Sequence, residues 1–258
     1  MNLSEYLFGV RGMSKLMEKK DLFFISSIVL GISFILGMLI FGYFFYISKL
    51  PQKTLSVTGS ARESVISDLA KWSSNYSVKV AESRLNEGFK IMKEHEKKVL
   101  EIFKGHGIND NELFLSAMSV SELYTEPHQD VERQYILTQY IYVQTKDVDG
   151  IAQKVKDITQ KILDLGVAFQ AAPVEYYYSK LAEKRIQLLS SAVHDARKRA
   201  EEIAKSGGLT IGKVISARSG VVQVLAPNSV DISDYGSYDT STKEKEIMVT
   251  VNVVFEAK

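Results

Sequence analysis

Apolar positions crowd one stretch near the N-terminus and afterwards settle into alternations and stripes. Residues 22–48 are 27 consecutive positions without a charge. At 1.5 Å per residue they make a helix of roughly 40 Å, against a hydrocarbon core of ~30 Å. The run closes on Tyr43, Phe44, Phe45 and Tyr46, bulky aromatics that suit a membrane interface. A secretory leader has an apolar stretch of only about 7–15 residues and ends in small ones. The pattern therefore predicts an uncleaved, single-pass anchor in contact with the lipid bilayer, with Leu22, Gly31, Gly37, Phe44 and Tyr46 among its residues. Ser27-x-x-x-Gly31 and Ser33-x-x-x-Gly37 permit close helix approach. Ahead of it, Leu3, Tyr6, Leu7, Val10 and Met17 recur at helical spacing over residues 1–21; an interfacial amphipathic helix and a frayed cytoplasmic tail both remain open there.

Beyond Pro51 the periods shorten. Leu55 and Val57 predict a short strand ending at Gly59, and Trp72, Ser74, Tyr76, Val78 and Val80 alternate with polar residues as in a half-buried strand. Leu85, Phe89, Met92, Val99 and Phe103 form a helical stripe that Gly105 and Gly107 end. Residues 113–123 and 133–146 predict a β-hairpin about residues 126–130, its second strand burying Tyr135, Leu137, Ile141 and Val143. Two further stripes step by 3 and 4: Val148, Ile151, Val155, Ile158, Ile162, Leu165, and then Ile186, Leu189, Val193, Ala196, Ala200, Ile203. Residues 173–178 are a short strand or extended link. Strands follow near 209–224 and along Ile247, Val249, Val251, Val253 and Phe255.

The order implies an α+β fold of two β-α-β-β-like units with helices packed on a largely antiparallel sheet. The first unit covers 49–146, a connecting helix falls in 147–172, and the second unit covers 173–258. Residues 101–108 and 202–209 match at five of eight positions or nearly so, which suggests a repeat. Ile136, Tyr140 and Tyr142 fall on the sheet face turned away from the helices and are too apolar to be merely wet, which points to subunit contacts.

Charge sets orientation and excludes one partner class. Arg11, Lys15, Lys19 and Lys20 precede the apolar run, with Lys49 and Lys53 close behind it, so the positive-inside rule places the N-terminus in the cytoplasm. Removing the four Lys/Arg and three Asp/Glu of residues 1–21 leaves 28 of each sign for the ectodomain, a neutral body unsuited to gripping nucleic acid.

Chemistry is sparse. The chain has no cysteine, so thiol nucleophiles, redox pairs and Cys-ligated metals are excluded. His95, His106, His128 and His194 have no metal-ligand spacing and read as solvated helix or turn residues. No nucleophile elbow, P-loop or dinucleotide fingerprint occurs, and no cofactor or catalytic residue is expected. The 226–246 loop puts Gly236 six positions into a calcium-loop pattern starting at Asp231, but Ser233, Tyr235 and Thr242 occupy positions that need acidic or amide oxygens. It reads instead as a mobile hairpin loop whose Tyr235 and Tyr238 suit partner contact.

With Val57-Thr58-Gly59-Ser60-Ala61, Asp68-Leu69-Ala70, the run from Ala192 through Ala204 and then Gly208-Leu209, the chain from about Leu55 to Phe255 resembles the SIMPL-domain family of bacterial envelope proteins. These motifs are small residues and alternation, without a reactive group. The resemblance implies homo-oligomeric ring or cage assemblies and a link to envelope or oxidative-stress defence. It departs from the family in keeping a long anchor. The expectation is a non-enzymatic inner-membrane protein with a periplasmic or extracellular ectodomain that assembles with itself. The alternative is a ligand-binding or accessory subunit of an envelope complex, using loops 124–131 and 226–243 on a partner of unknown identity.

Overall fold

The computed structural model describes residues 3–49, 53–123, 132–230 and 233–258, with side chains from Phe24 onward. The hairpin tip at 126–130, His128 and Asp231 lie outside these. Helix α1 (Leu3–Lys49) is continuous, so the backbone of the tail segment is helical from Leu3. Within it Phe24–Lys49 has a mean hydropathy of 2.5 and no buried share, one helix long and apolar enough to cross a membrane, whether as an anchor or as a signal sequence. Gly31 and Gly37 face open space, Phe44 and Tyr46 are exposed, and Leu22 lies in the helix with its side chain undescribed.

Residues 54–258 form a separate unit with two sheets. The larger is centred on β2 (Leu69–Ala81) and β5 (Gln134–Thr145), antiparallel over twelve residue pairs from Ala70–Thr145 to Ala81–Gln134. Each outer strand is split. β3 (Leu113–Leu115) and β4 (Ser119–Leu123) both pair with β5, while β6 (Ala168–Ala171) and β7 (Glu175–Tyr177) both pair with β2. Pro173 stands in the second break, where a missing N–H costs no ladder bond. Short, interrupted edges of this kind discourage further strand pairing.

Helices α2 (Leu85–Gly105) and α3 (Ile151–Asp164) supply the core against one face of this sheet. Trp72 stacks on Phe103 at 5.3 Å and donates its indole N–H to the Ala172 carbonyl at 3.1 Å. Met92, Val99, Leu137, Ile141, Ile151, Ile158 and Ile162 are fully buried beside them. The predicted stripes hold with local exceptions. Phe89 and Leu165 are exposed, Tyr135 is half-buried, and the buried position at that end of α2 is Gly88, where an added Cβ would stand 3.1 Å from Val80.

The smaller sheet has the order β1-β10-β8-β9. β1 (Thr54–Ile66) does not end at Gly59 but pairs with β10 (Glu244–Ala257) along its whole length. β8 (Ile211–Leu225) flanks β10 on the other side, and the two-residue β9 (Ser237–Tyr238) pairs in parallel with the end of β8. The sheets therefore cut across the expected division of the chain. β1 joins the C-terminal sheet, whereas β6 and β7, beyond the connecting helix α3, complete the N-terminal one. The chain crosses between sheets at Ser67-Asp68, and Asp68 ties this turn to the start of α4 (Leu181–Ser206) by accepting the Ser179 N–H at 2.7 Å and hydroxyl at 2.6 Å.

Helix α4 lies over β1 and β10 on a row of Leu188, Ala192, Ala196, Ala200 and Ala204, one residue every four. The predicted 3,4 stripe holds at Ala196 and Ala200, which are fully buried, and fails at its ends, where Ile186 is 71% exposed and Ile203 is exposed too. The reason is close approach. Gly59 sits directly beneath the alanine row, where any Cβ would collide with the backbone of Ala192 and Ala196. Asp195 takes the Ser60 backbone N–H at 2.8 Å.

The suspected repeat is a shared helix terminator. Gly107 and Gly208 both have positive φ, at 74° and 70°. Ile108 N–H bonds Phe103 O and Gly107 N–H bonds Lys104 O, and Leu209 and Gly208 do the same to Ala204 and Lys205. This is one Schellman cap used twice.

Candidate interaction surface

The uncovered face of the larger sheet is set by register. Antiparallel partners share a face, so Tyr142 stands between Phe114 and Ser73, and Tyr140 stands beside Asn75, which in turn faces Gln170. The Tyr140 and Tyr142 rings are nearly parallel at 15° with centroids 6.4 Å apart, and Phe114 lies 6.1 Å from Tyr142. Both tyrosines are close to half exposed, at 43% and 45%. Ile136 is on the same face, half-buried, opposite Lys79. Ile136, Tyr140 and Tyr142, picked from alternation, are thus brought together; Phe114 completes the row and was hidden in a three-residue strand too short to show a period. Beside the row runs an open groove of about 690 Å³ reaching Lys71, Gln144 and Glu175, and a smaller one of about 270 Å³ reaching Asn75 and Gln170.

Tyr235 and Tyr238 are not brought to this face. They belong to the 226–243 segment, which is anchored rather than loose wherever it is described. Gln223 donates to the Ser233 carbonyl and accepts the Ser237 hydroxyl at 2.8 Å, and Asp239 N–H bonds Val224 O. Asp239 accepts from the N–H and hydroxyl of both Ser241 and Thr242. Burial works against the charged carboxylate, but these four donors outweigh it and hold the group well below the usual carboxylate range. Lys245, 1% exposed, donates to the carbonyls of Asp239 and Thr242 and lies 3.4 Å from the Asp239 carboxylate. Burial pulls this lysine below its ordinary value, opposed by Asp239. Tyr238 is committed to the same junction, its hydroxyl accepting the Tyr178 N–H at 2.9 Å and its ring against Tyr177. Tyr235, at a turn before Gly236, is 97% exposed.

The histidines are scattered. His194 is exposed; His106 holds the Ile102 carbonyl at 2.7 Å through Nδ1. His95 is half-buried on α2, with its Nδ1 enclosed and unpartnered, and burial lowers its affinity for a proton. Among the described residues no three His, Asp or Glu side chains stand together as a metal site would require.

A second open feature is β8. Its partner β9 covers only Gln223 and Val224, so among the described residues 211–222 present an unpaired backbone edge. Because α4 lies over β1 and β10, residues 213–219 are exposed on both faces, with Val214 and Ile215 at 45% and 42%.

An apolar N-terminal helix followed by a two-sheet α+β domain, with the tightest packing where β1 meets α4, defines the class. The sequence model of the SIMPL family, described as a protein of unknown function (DUF541), matches residues 55–255, and the chain belongs to that family. Of the residues that carried the resemblance, Gly59 and Ser60 on the strand and Asp195, Ala192, Ala196, Ala200 and Ala204 on the helix form the β1–α4 seam, Asp68 holds the turn between the sheets, and Gly208-Leu209 cap α4. No curated protein matches the chain. Among solved structures, a de novo designed protein, Foldit4, is similar at 14% identity over 41% of this chain and 94% of its own, with a TM-score of 0.23, a level that carries no argument.

Proposed function

We propose that the chain is a non-catalytic envelope protein, held in the bacterial cytoplasmic membrane by α1 with its N-terminus inside, whose SIMPL domain assembles with further copies into a large homo-oligomer. The observation that carries this is β8. A strand open along its edge and on both faces over residues 213–219 is stable alone only through β10, and it offers unpaired N–H and C=O groups to another copy. Lys213, Arg218 and the register breaks opposite Val249–Ala257 make the edge selective, since they oppose flat, indiscriminate pairing. Light scattering of detergent-extracted full-length protein should give a high multiple of the chain mass. Val214→Lys with Val221→Lys should reduce it while leaving the far-ultraviolet circular dichroism of the folded chain unchanged. A wild-type monomer refutes the proposal.

A second reading, an accessory subunit contacting another envelope protein, is favoured by Tyr235, a nearly fully exposed aromatic on a segment anchored at both ends. Tyr235→Ser tests it cleanly, since deleting the segment would also strip the partners of Gln223 and Lys245. Loss of a co-purifying protein without change in oligomer mass supports this reading, and retention of that protein refutes it.

A further inference from the structure

We propose that the open face of the larger sheet binds an uncharged oligosaccharide across Tyr140 and Tyr142. This is independent of the assembly reading and rests on three features of the face. The first is the aromatic row: two near-parallel phenol rings 6.4 Å apart, with the tilted Phe114 ring 6.1 Å from Tyr142, place three half-exposed or exposed rings side by side on paired strands. A pyranose offers such a surface its C–H face and keeps its hydroxyls at the rim.

The second is what borders the row. Ser73 and Asn75 stand on the neighbouring strand about 4.8 Å away, and Gln170 and Gln144 extend the border in two directions. Among the described residues, the phenols of Tyr140 and Tyr142, the Gln144 amide and the Ser73 hydroxyl have no protein partner. The two grooves flank the rings and both reach Ser73. Amide and hydroxyl groups that both donate and accept match a polyhydroxylated ligand.

The third is charge. Aromatic sheet faces also stack nucleobases, but that use needs a cationic groove for the phosphates. Here Lys71 stands opposite Glu175 in register and its ammonium lies 4.8 Å over the Tyr177 ring, whose hydroxyl bonds Glu175 at 2.8 Å. The groove carries Lys71 against Glu112 and Glu175, with no cationic surplus to hold phosphates, which favours a ligand without them. A second copy of the chain is the less suitable occupant, because the centre of a protein interface is apolar and here the aromatic row is narrow and bordered by amides.

The test is calorimetric titration of the full-length protein, in a detergent without a sugar headgroup, with chitohexaose and with cellohexaose. Saturable binding of at least one is expected. Tyr140→Ala with Tyr142→Ala should weaken it about tenfold or more, and Asn75→Ala should weaken it by a smaller factor. Melting temperatures should be unchanged, since these side chains lie outside the core. Preference for chitohexaose would place the acetamido group among the amides; equal binding would assign recognition to the ring and its hydroxyls. Three results overturn the proposal: no heat with either hexasaccharide up to about 10 mM, binding untouched by the double variant, or displacement by an oligothymidylate. Light scattering on the same double variant separates this from assembly. A fall in oligomer mass together with unchanged or absent sugar binding would make the face a subunit contact.

Discussion

Replacing Gly59 by alanine adds one methyl group where β1 and α4 leave no room for it. Its Cβ would stand 2.2 Å from the Ala192 carbonyl oxygen, 2.4 Å from the Ala196 nitrogen and 2.7 Å from the Ala196 Cβ. Two of these atoms are helix backbone and cannot rotate aside, so α4 must rise from β1. A gap of roughly 1 Å forfeits up to half of the dispersion energy of each contact beneath the alanine row. Overpacking strain of this kind costs about 1–3 kcal/mol. The same movement stretches the bond from Ser60 N–H to the Asp195 carboxylate, a charge-assisted link of about 1.5–3 kcal/mol. The expected loss is about 3–5 kcal/mol, which for a domain of this size lowers the melting temperature by roughly 10 °C. Differential scanning calorimetry of the full-length protein reads it directly. Gly105→Ala is the control: nothing lies within 4 Å of its added Cβ and its φ is not positive, so stability should be kept or slightly raised. A Gly59→Ala protein melting within about 2 °C of wild type would refute the claim that this contact fixes α4 on the sheet.

Two other substitutions probe polar anchors. Asp239 is held below its ordinary value of 3.8, so the unfolded chain binds its proton first and stability falls as pH drops through and below that value. Asp239→Asn should remove this acid slope in urea titrations between pH 2 and 5, and lower stability at pH 7 by roughly 1.5–3 kcal/mol; an unchanged slope would reject the role of its four donors. Gln139, 5% exposed, accepts the Tyr76 hydroxyl at 2.5 Å and donates to Ser116 O at 3.0 Å and Glu96 at 3.2 Å. Gln139→Leu leaves the buried phenol without an acceptor and should cost about 1–3 kcal/mol by urea denaturation, and adding Tyr76→Phe should recover part of it.

Much of the fold is legible from periodicity because periodicity records burial. The alternation of β2, β5 and β10 and the stripes of α2 and α3 appear where expected. Sheet membership is not legible this way: nothing in Leu55 or Val57 says that their strand pairs with residues 244–257 rather than with the strand that follows. The displaced ends of the α4 stripe have a similar origin. Ala196 and Ala200 mark the close approach in the sequence, but Ile186 and Ile203 dominate a hydropathy pattern and extend the stripe past the row that actually faces Gly59. The Ile136, Tyr140 and Tyr142 face follows from alternation alone. The anchoring of residues 233–243 does not, since it depends on Gln223 and Lys245, polar residues whose burial no hydrophobic pattern announces.

Helix α1 also limits the geometry of any assembly. Copies anchored in one bilayer all point their domains to the same side. If α1 anchors every copy in the proposed orientation, a symmetry axis relating them runs along the membrane normal, because a two-fold axis in the membrane plane would put one copy's domain on the opposite side of the bilayer. On that reading the assembly proposed above is a cyclic one rather than a dihedral shell or closed cage. Beyond a dimer, such a ring is built from head-to-tail contacts, so the edge of β8, if it carries the proposed assembly, would meet a different surface of its neighbour rather than the same strand again. Cleavage after α1 would lift that restriction, and would change which shapes the same domain can close into.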